Sequence, residues 1–255
     1  MLMPRLIPVL LLRGEGLVKT KQFRDPRYVG DPINAVRIFN EKEVDELIFL
    51  DIMASKEDRS PNYEMIQRIA SECFMPLAYG GGVKSLGHAN QLFSIGVEKV
   101  ILNAAALDQP DLITQIAARH GSQAVVGAVD FVKPLIGGAK VFDHRSRRER
   151  QATPQKYAKE LEDRGAGEIF LNAVDRDGTR MGYHLDVIKE VSASLKVPLI
   201  ASGGAGTLED AKQAILRAEA SAAAAGAMFV FHGKHQAVLI TYPSRAEIEQ
   251  ALTPT

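Results

Sequence analysis

The chain repeats itself at a fixed offset. Residues 75–107 align without a gap on residues 197–229, a shift of 122 positions that carries Pro76 onto Pro198. Gly81-Gly82 recurs as Gly203-Gly204, Leu86 as Leu208, Ala89 as Ala211 and Gln91 as Gln213, and the same shift takes Glu46 to Glu168. Self-similarity on this scale constrains topology ahead of any local reading, because each half must build the same arrangement. Candidate strands are Arg5–Leu12, Glu46–Asp51, Pro76–Tyr79, Lys99–Leu102, Ala124–Asp130, Glu168–Asn172, Pro198–Ala201 and Ser221–Gly226. Each is short and apolar on both faces, as parallel strands covered by helices are. The alanine run of the last carries no β preference of its own. Helical patterns fill the gaps. Asp31-Pro32, Ser60-Pro61 and Thr153-Pro154 each offer an N-cap followed by proline. Ser85 and Thr207 begin two more helices, and Arg164-Gly165 reads as a helix C-terminus. Eight βα units at this length match a (β/α)8 barrel. An open doubly wound sheet also alternates but needs no matching halves. The expectation is an α/β, (β/α)8 TIM barrel forming one domain over residues 1–255, with half-barrel repeats of about 1–120 and 121–255.

Composition removes several function classes. A chain of 255 residues buries about 70–75% of its unfolded surface and needs no disulfide or metal staple. Cys73 is the one cysteine, which excludes an intrachain disulfide and a cysteine-based zinc site; no metal or cofactor is expected. Lys+Arg and Asp+Glu both number 31, so the net charge of zero gives no support to a nucleic-acid or membrane-surface binder. No run of 18 apolar residues is present, so no transmembrane helix is expected. The N-terminal Met1-Leu2-Met3-Pro4-Arg5-Leu6-Ile7-Pro8 lacks a charged leader region and reads as a first strand, not a signal peptide, in a reduced, cytoplasmic protein. Gly137-Gly138 and the basic run Arg145–Arg150 fall in one long connection after the fifth strand and read as a solvated loop.

In a barrel, function gathers in the loops at the C-terminal ends of the strands. Gly80-Gly81-Gly82-Val83 follows the third strand and Ser202-Gly203-Gly204-Ala205-Gly206 the seventh. Glycine lets backbone N–H groups approach an anion, and the next helix N-terminus adds its dipole. One strand further on, Asn103-Ala104 and Gly226-Ala227 stand at near-equivalent places, 123 residues apart, and leave room beside each loop. Two such loops across one mouth suit a ligand with phosphate at both ends; tight βα turns alone would account for one loop better than for the pair. The dinucleotide fingerprint spacing is absent. Asp130 closes the fifth strand as a candidate general acid or base, and Asp51 closes the second as a further carboxylate. The Asp177-Gly178 turn is a candidate cap for the second phosphate site, and Lys19, in the loop after the first strand, is either an anion contact or a solvated lysine. At the other end, Arg5, Glu46, Lys99 and Glu168 stand at the starts of strands one, two, four and six, as solubilising charges or as a net-neutral ring across the bottom pore.

Phe49-Leu50-Asp51-Ile52-Met53-Ala54-Ser55, Asp175-Arg176-Asp177-Gly178-Thr179, Ile200-Ala201-Ser202-Gly203-Gly204-Ala205-Gly206, and Leu112-Ile113-Thr114-Gln115-Ile116-Ala117 followed by Gly121-Ser122-Gln123-Ala124-Val125 together resemble the cyclase subunit of imidazole glycerol phosphate synthase. The resemblance runs along nearly the whole chain. It implies a barrel that forms a heterodimer with a glutaminase. Ammonia then passes up through the barrel to a ribulosyl aminoimidazole carboxamide nucleotide carrying two phosphates. The implied products are imidazole glycerol phosphate and an aminoimidazole carboxamide ribotide, in histidine biosynthesis. The family's ammonia gate falls on Arg5, Glu46, Lys99 and Glu168, and its phosphate positions on Gly81, Gly82, Asn103, Gly203, Gly204 and the Gly226-Ala227 pair. Its substrate-loop lysine falls on Lys19 and one of its two catalytic aspartates on Asp130.

The second aspartate is gone. The family reads Ile-Pro-Cys-Leu-Asp-Val where this chain has Ile7-Pro8-Val9-Leu10-Leu11-Leu12, and the family loop Lys-Asp-Gly-Arg is replaced by Arg13-Gly14-Glu15-Gly16. Leucine transfers no proton, and loss of one acid–base partner is worth about 10²–10⁴ in rate. A kept gate with one lost carboxylate resembles the divergent members found with surface-polysaccharide (lipopolysaccharide) genes, where ammonia is supplied to a separate amidotransferase making acetamidino sugars. Two alternatives stand beside it: a conventional cyclase/lyase with Asp51 replacing the lost group, and a non-catalytic barrel that docks and activates a glutaminase. The related isomerase of the histidine pathway acts alone and needs both carboxylates, so Leu11 and the charge ring argue against it.

Overall fold

The closing pair of the sheet decides the architecture. In a computed structural model describing residues 4–233 and 235–252, eight strands run parallel: β1 (Arg5–Arg13), β2 (Leu47–Asp51), β3 (Leu77–Gly80), β4 (Lys99–Leu102), β5 (Val125–Val132), β6 (Glu168–Ala173), β7 (Leu199–Ser202) and β8 (Ala222–Ala225). Each bonds the next. β8 returns to β1, with Arg5 opposite Ala222, and β5 pairs with β6 over six residues, so no edge is left open. Helices α1 (Pro32–Glu41), α2 (Tyr63–Glu72), α3 (Leu86–Ser94), α4 (Asp111–His120), α5 (Pro154–Asp163), α6 (Leu185–Ser192), α7 (Leu208–Leu216) and α8 (Arg245–Leu252) follow the strands in turn. This is a (β/α)8 barrel, as the sequence leads one to expect.

Strand periodicity sorts the core into two shells. On β1, Leu6, Leu10 and Leu12 join the shell that packs against the helices, while Ile7, Val9 and Leu11 join Ile48, Ala78, Ile101, Val126, Ala128, Phe170, Ile200, Ala222 and Ala224 inside the barrel. β8 is four fully or nearly fully buried alanines. Alanine prefers helix, so here ladder bonds to β1 and β7 override local preference.

Four of the expected caps form: Asp31, Ser85, Thr153 and Thr207 each accept the backbone N–H three residues on. Arg164 ends α5, and Gly165 follows at φ +108. The expectation at Ser60-Pro61 is corrected. The helix starts two residues later, capped by Asn62, whose side chain accepts from Met65 N at 3.2 Å. Lys19 is not in a loop. Gly16–Lys21 and Arg24–Gly30 form an antiparallel hairpin that continues β1. The part of the N-terminal strand expectation that covers residues 1–3 lies outside the described residues. Among those described, no helix is long and apolar enough to cross a membrane.

The basic run is also more than a solvated loop. Lys140–Asp143 adds antiparallel to β5 and turns back through Arg148–Glu149. Asp143 is buried and accepts from Arg145 N (3.0 Å) and from the guanidiniums of Arg145 and Arg150 (3.3 and 3.1 Å). Burial alone would push the Asp143 carboxyl up, but the hydrogen bonds from Arg150 and Arg145 outweigh it and hold it well below the usual range. A carboxyl lowered by folding stabilises fully above its unfolded value of about 3.9 and loses that contribution progressively as the pH falls from there through its lowered folded value. Asp143→Asn is therefore expected to be less stable than the parent protein at pH 7, with the gap narrowing by pH 3, as measured by urea unfolding at both values.

Candidate functional site

The bottom of the barrel carries a closed ring of charge. Lys99 Nζ lies 2.8 and 2.9 Å from the two oxygens of Glu46 and 3.0 Å from Glu168 Oε2. Arg5 bonds Glu46 through one guanidinium nitrogen and Glu168 through the other. Each cation thus touches both anions across the pore. Burial opposes the charge on Arg5, but hydrogen bonds and attraction from Glu168 and Glu46 more than offset it and raise its pKa. Glu46 and Glu168 are buried, which a carboxylate tolerates only when paired. The apolar inner shell lies above the ring.

The top opens into a cavity of about 140 Å³ lined by Leu11, Leu50, Asp51, Gly81, Gly82, Asn103, Ala104, Asp130, His144, Phe170, Asn172 and Asp177, among others. Asp130 is buried near the end of β5 and both its oxygens are held. Asn103 Nδ2 donates to Oδ2 at 2.9 Å and Asn172 Nδ2 to Oδ1 at 3.0 Å. Leu11 also lines this cavity and is 8% exposed. Asp51 lines it too but is fully engaged. Arg59 forks onto both of its oxygens at 2.9 and 3.0 Å, and Oδ1 accepts from Met53 N and Ala54 N. That arrangement anchors the loop after β2 and commits both Asp51 oxygens to Arg59 and the backbone.

The two glycine loops have backbone reasons of their own. Gly81 sits at φ +120, where a Cβ would fall 2.6 Å from Asp51 O, and Gly203 at φ +87, where it would fall 2.4 Å from Ala173 O. A side chain at either would collide with the neighbouring strand end. Gly81, Gly82, Asn103 and Ala104 border the main cavity. Gly203, Gly204, Gly226, Ala227, Asp177 and Gly178 surround a smaller second pocket together with Lys19 and Ser202. Lys19 is 5% exposed, with Nζ 2.7 Å from Asp177 Oδ1, so the solvated-lysine reading fails. The hairpin carrying Lys19 is stitched to the loop after β6: Thr20 Oγ1 donates to Asp177 Oδ2 at 3.3 Å and Gln22 N to Asp177 O at 2.9 Å. Asp177 lines both pockets and links them.

Against known families, the model described as histidine biosynthesis protein matches residues 5–236. The chain belongs to the histidine biosynthesis protein family. Within it, the chain is a relative of the cyclase subunit of imidazole glycerol phosphate synthase. It is 54% identical over 239 residues to a provisionally named subunit hisF2 of that synthase from Pseudomonas aeruginosa, covering 94% of this chain and 95% of the relative. Identity to the provisionally named HisF subunit of Leptospira borgpetersenii is 49%, over the full length of both chains. The HisF subunit of Hyphomonas neptunium is 41% identical over 231 residues, 91% of each chain.

Two residues of this histidine biosynthesis family barrel escape sequence reasoning. Asn172 ends the expected sixth strand and could have been found, since Asn103 directly follows the fourth and both strands flank the one that carries Asp130. His144 could not, because only the fold-back of the hairpin carries it to the mouth. A polar pair, His184 Nε2 and Asp175 Oδ2 at 2.7 Å, joins the start of α6 to the loop after β6. The ring at the bottom yields a stability prediction. Lys99→Met leaves two buried carboxylates sharing Arg5 and is expected to lower stability by about 3 kcal/mol, measured by urea denaturation.

Proposed function

We propose that this barrel pairs with a glutaminase, admits ammonia through the Arg5/Glu46/Lys99/Glu168 ring, passes it along the apolar interior, and binds a bis-phosphate ligand at the top. Its own cyclisation is weak or absent, and the ammonia serves acetamidino sugar synthesis by a separate amidotransferase of surface-polysaccharide assembly. The observation that carries this reading is Leu11 facing the same cavity as Asp130 above an intact charge ring.

The physical support runs from bottom to top. Neutral ammonia crosses an apolar interior at little penalty, whereas a bare ammonium ion there would need a compensating partner. A ring of two cations and two anions has no net charge to trap ammonium, and one pair must part to open a path. At the top, Lys19 and the amide-rich loops around Gly203 and Gly81 supply positive potential for two phosphates. Asp130, with its lone pairs directed by Asn103 and Asn172, offers one half of an acid–base pair. The relatives add weight, since identity is 54% to the suffix-numbered Pseudomonas aeruginosa protein and 41% to the Hyphomonas neptunium subunit.

The competing view, a conventional cyclase with a relocated acid, would need Asp51 to leave both Arg59 and two backbone N–H groups. One assay separates the two. Purified protein with ammonium and the ribulosyl nucleotide is expected to turn over about 10²–10⁴ more slowly than an ordinary cyclase subunit, and Leu11→Asp to recover much of the difference. Parent turnover near that of an ordinary subunit, or no gain from Leu11→Asp, overturns the proposal. A barrel that only docks and activates a glutaminase would instead show no turnover of the nucleotide and keep its partner stimulation in Asp130→Asn.

A further inference from the structure

We infer that His144 is a proton-transfer group of the mouth, coupled to Asp130 as an imidazole–carboxylate dyad that carries the residual proton transfer left without a carboxylate at position 11. The inference rests on the reading of the mouth as a nucleotide site and concerns whatever cyclisation the barrel retains.

Three observations carry it. First, His144 Nδ1 is buried without a hydrogen-bond partner. Buried polar side-chain atoms are nearly always satisfied, and exceptions call for a reason. Second, that nitrogen is 3.5 Å from Asp130 Oδ2, while the side chain remains 18% exposed and lines the main cavity. At 3.5 Å the contact is too long to count as a hydrogen bond. Catalytic contacts of this kind tighten when substrate is bound. Third, the residues on either side of His144 in the chain are held in place. Asp143, the residue before it, is clamped by Arg145 and Arg150, and Arg145 also forks onto Asp108, at the end of the helical turn Ala104–Asp108 that follows Asn103. The hairpin is thereby tied to the loop that supplies an Asp130 partner.

The cavity offers few other proton carriers. Its titratable lining residues among those described are Asp51, Lys56, Asp130, His144 and Asp177. Asp51 is committed to Arg59 and Asp177 to Lys19. Of the side-chain types present, imidazole is the one that gives and takes a proton near neutrality.

The chemistry balances without an oxidant or metal. Ammonia nitrogen adds to the ligand carbonyl carbon as the C=O π pair moves to oxygen, forming a C–N bond and an ammonium-alkoxide. The free imidazole nitrogen takes one N–H proton, while Nδ1–H donates to Asp130, and hands it to the alkoxide, giving an aminoalcohol. A second N–H proton follows the same route to the hydroxyl oxygen, which leaves as water as the nitrogen lone pair forms the C=N bond. Asp130 accepts from Nδ1–H and stabilises the imidazolium in each transfer, in the manner of a carboxylate that orients a histidine.

The test is single-turnover conversion of the ribulosyl nucleotide with protein in excess and ammonium chloride supplied directly, so no glutaminase is needed. The parent protein is expected to exceed the buffer blank. His144→Ala is expected to slow conversion at least about tenfold, to regain rate with added imidazole, and to cost nothing further on an Asp130→Asn background, since groups acting as a unit are not additive. His144→Gln, which preserves more of the packing, is expected to be as slow as His144→Ala without being rescued. Parent-like rates in His144→Ala, a loss that imidazole does not restore, or a parent rate equal to the blank would each overturn the dyad. A parent rate near that of an ordinary cyclase subunit overturns the weak-cyclisation reading instead and leaves the His144 comparison intact.

Discussion

Two carboxylates are buried at the foot of this barrel, and everything above them depends on how they are neutralised. Glu46 and Glu168 precede or open β2 and β6, while Arg5 and Lys99 open β1 and β4. β4 and β6 are not neighbours in the sheet. The four-charge ring therefore ties strands that no ladder bond connects and fixes the bore's width at its base. Because each cation bridges both anions, losing one charge unbalances three residues at once. With polar demand met at the base, the inner shell can remain apolar up to the level of Asp130.

At the top the polar groups follow another logic. Asp130 is flanked by amides from the strands on either side of it, so its orientation comes from the sheet. Lys19 and Asp177 come from elements that meet only because the hairpin after β1 folds onto the loop after β6. The bottom of the molecule is organised by long-range ion pairing and the mouth by donors fixed on strands and loops. Neither end needs a surplus of basic residues, and the neutral total charge reflects that.

The same distinction explains what could be read from the amino-acid order. The barrel, the strand positions and the charge ring were legible because they depend on strand phase and on the 122-residue offset. The alanine strand β8 carries no β signal of its own and is only weakly legible. Ser60-Pro61 misled because Ser60 and Asn62 both suit an N-cap, and the loop pinned by Asp51 and Arg59 selects Asn62. Lys19 was misplaced because the hairpin strands are polar and lack the apolar signature of the barrel. His144 was invisible within a basic run: its relation to Asp130 exists only after a hairpin doubles back across β5.

β8 carries one more consequence. Ala222 and Ala224, like Ala78 and Ala128, present methyl groups to a bore otherwise walled by isoleucine, valine, leucine and phenylalanine. Valine or isoleucine at these positions would suit an extended strand better and would fill space beside Ile7 and Val9. The sheet and the bore thus make opposite demands on the same two residues. A mutational search for greater thermal resistance that reads only unfolding would be drawn to β8, and each gain there would narrow the bore.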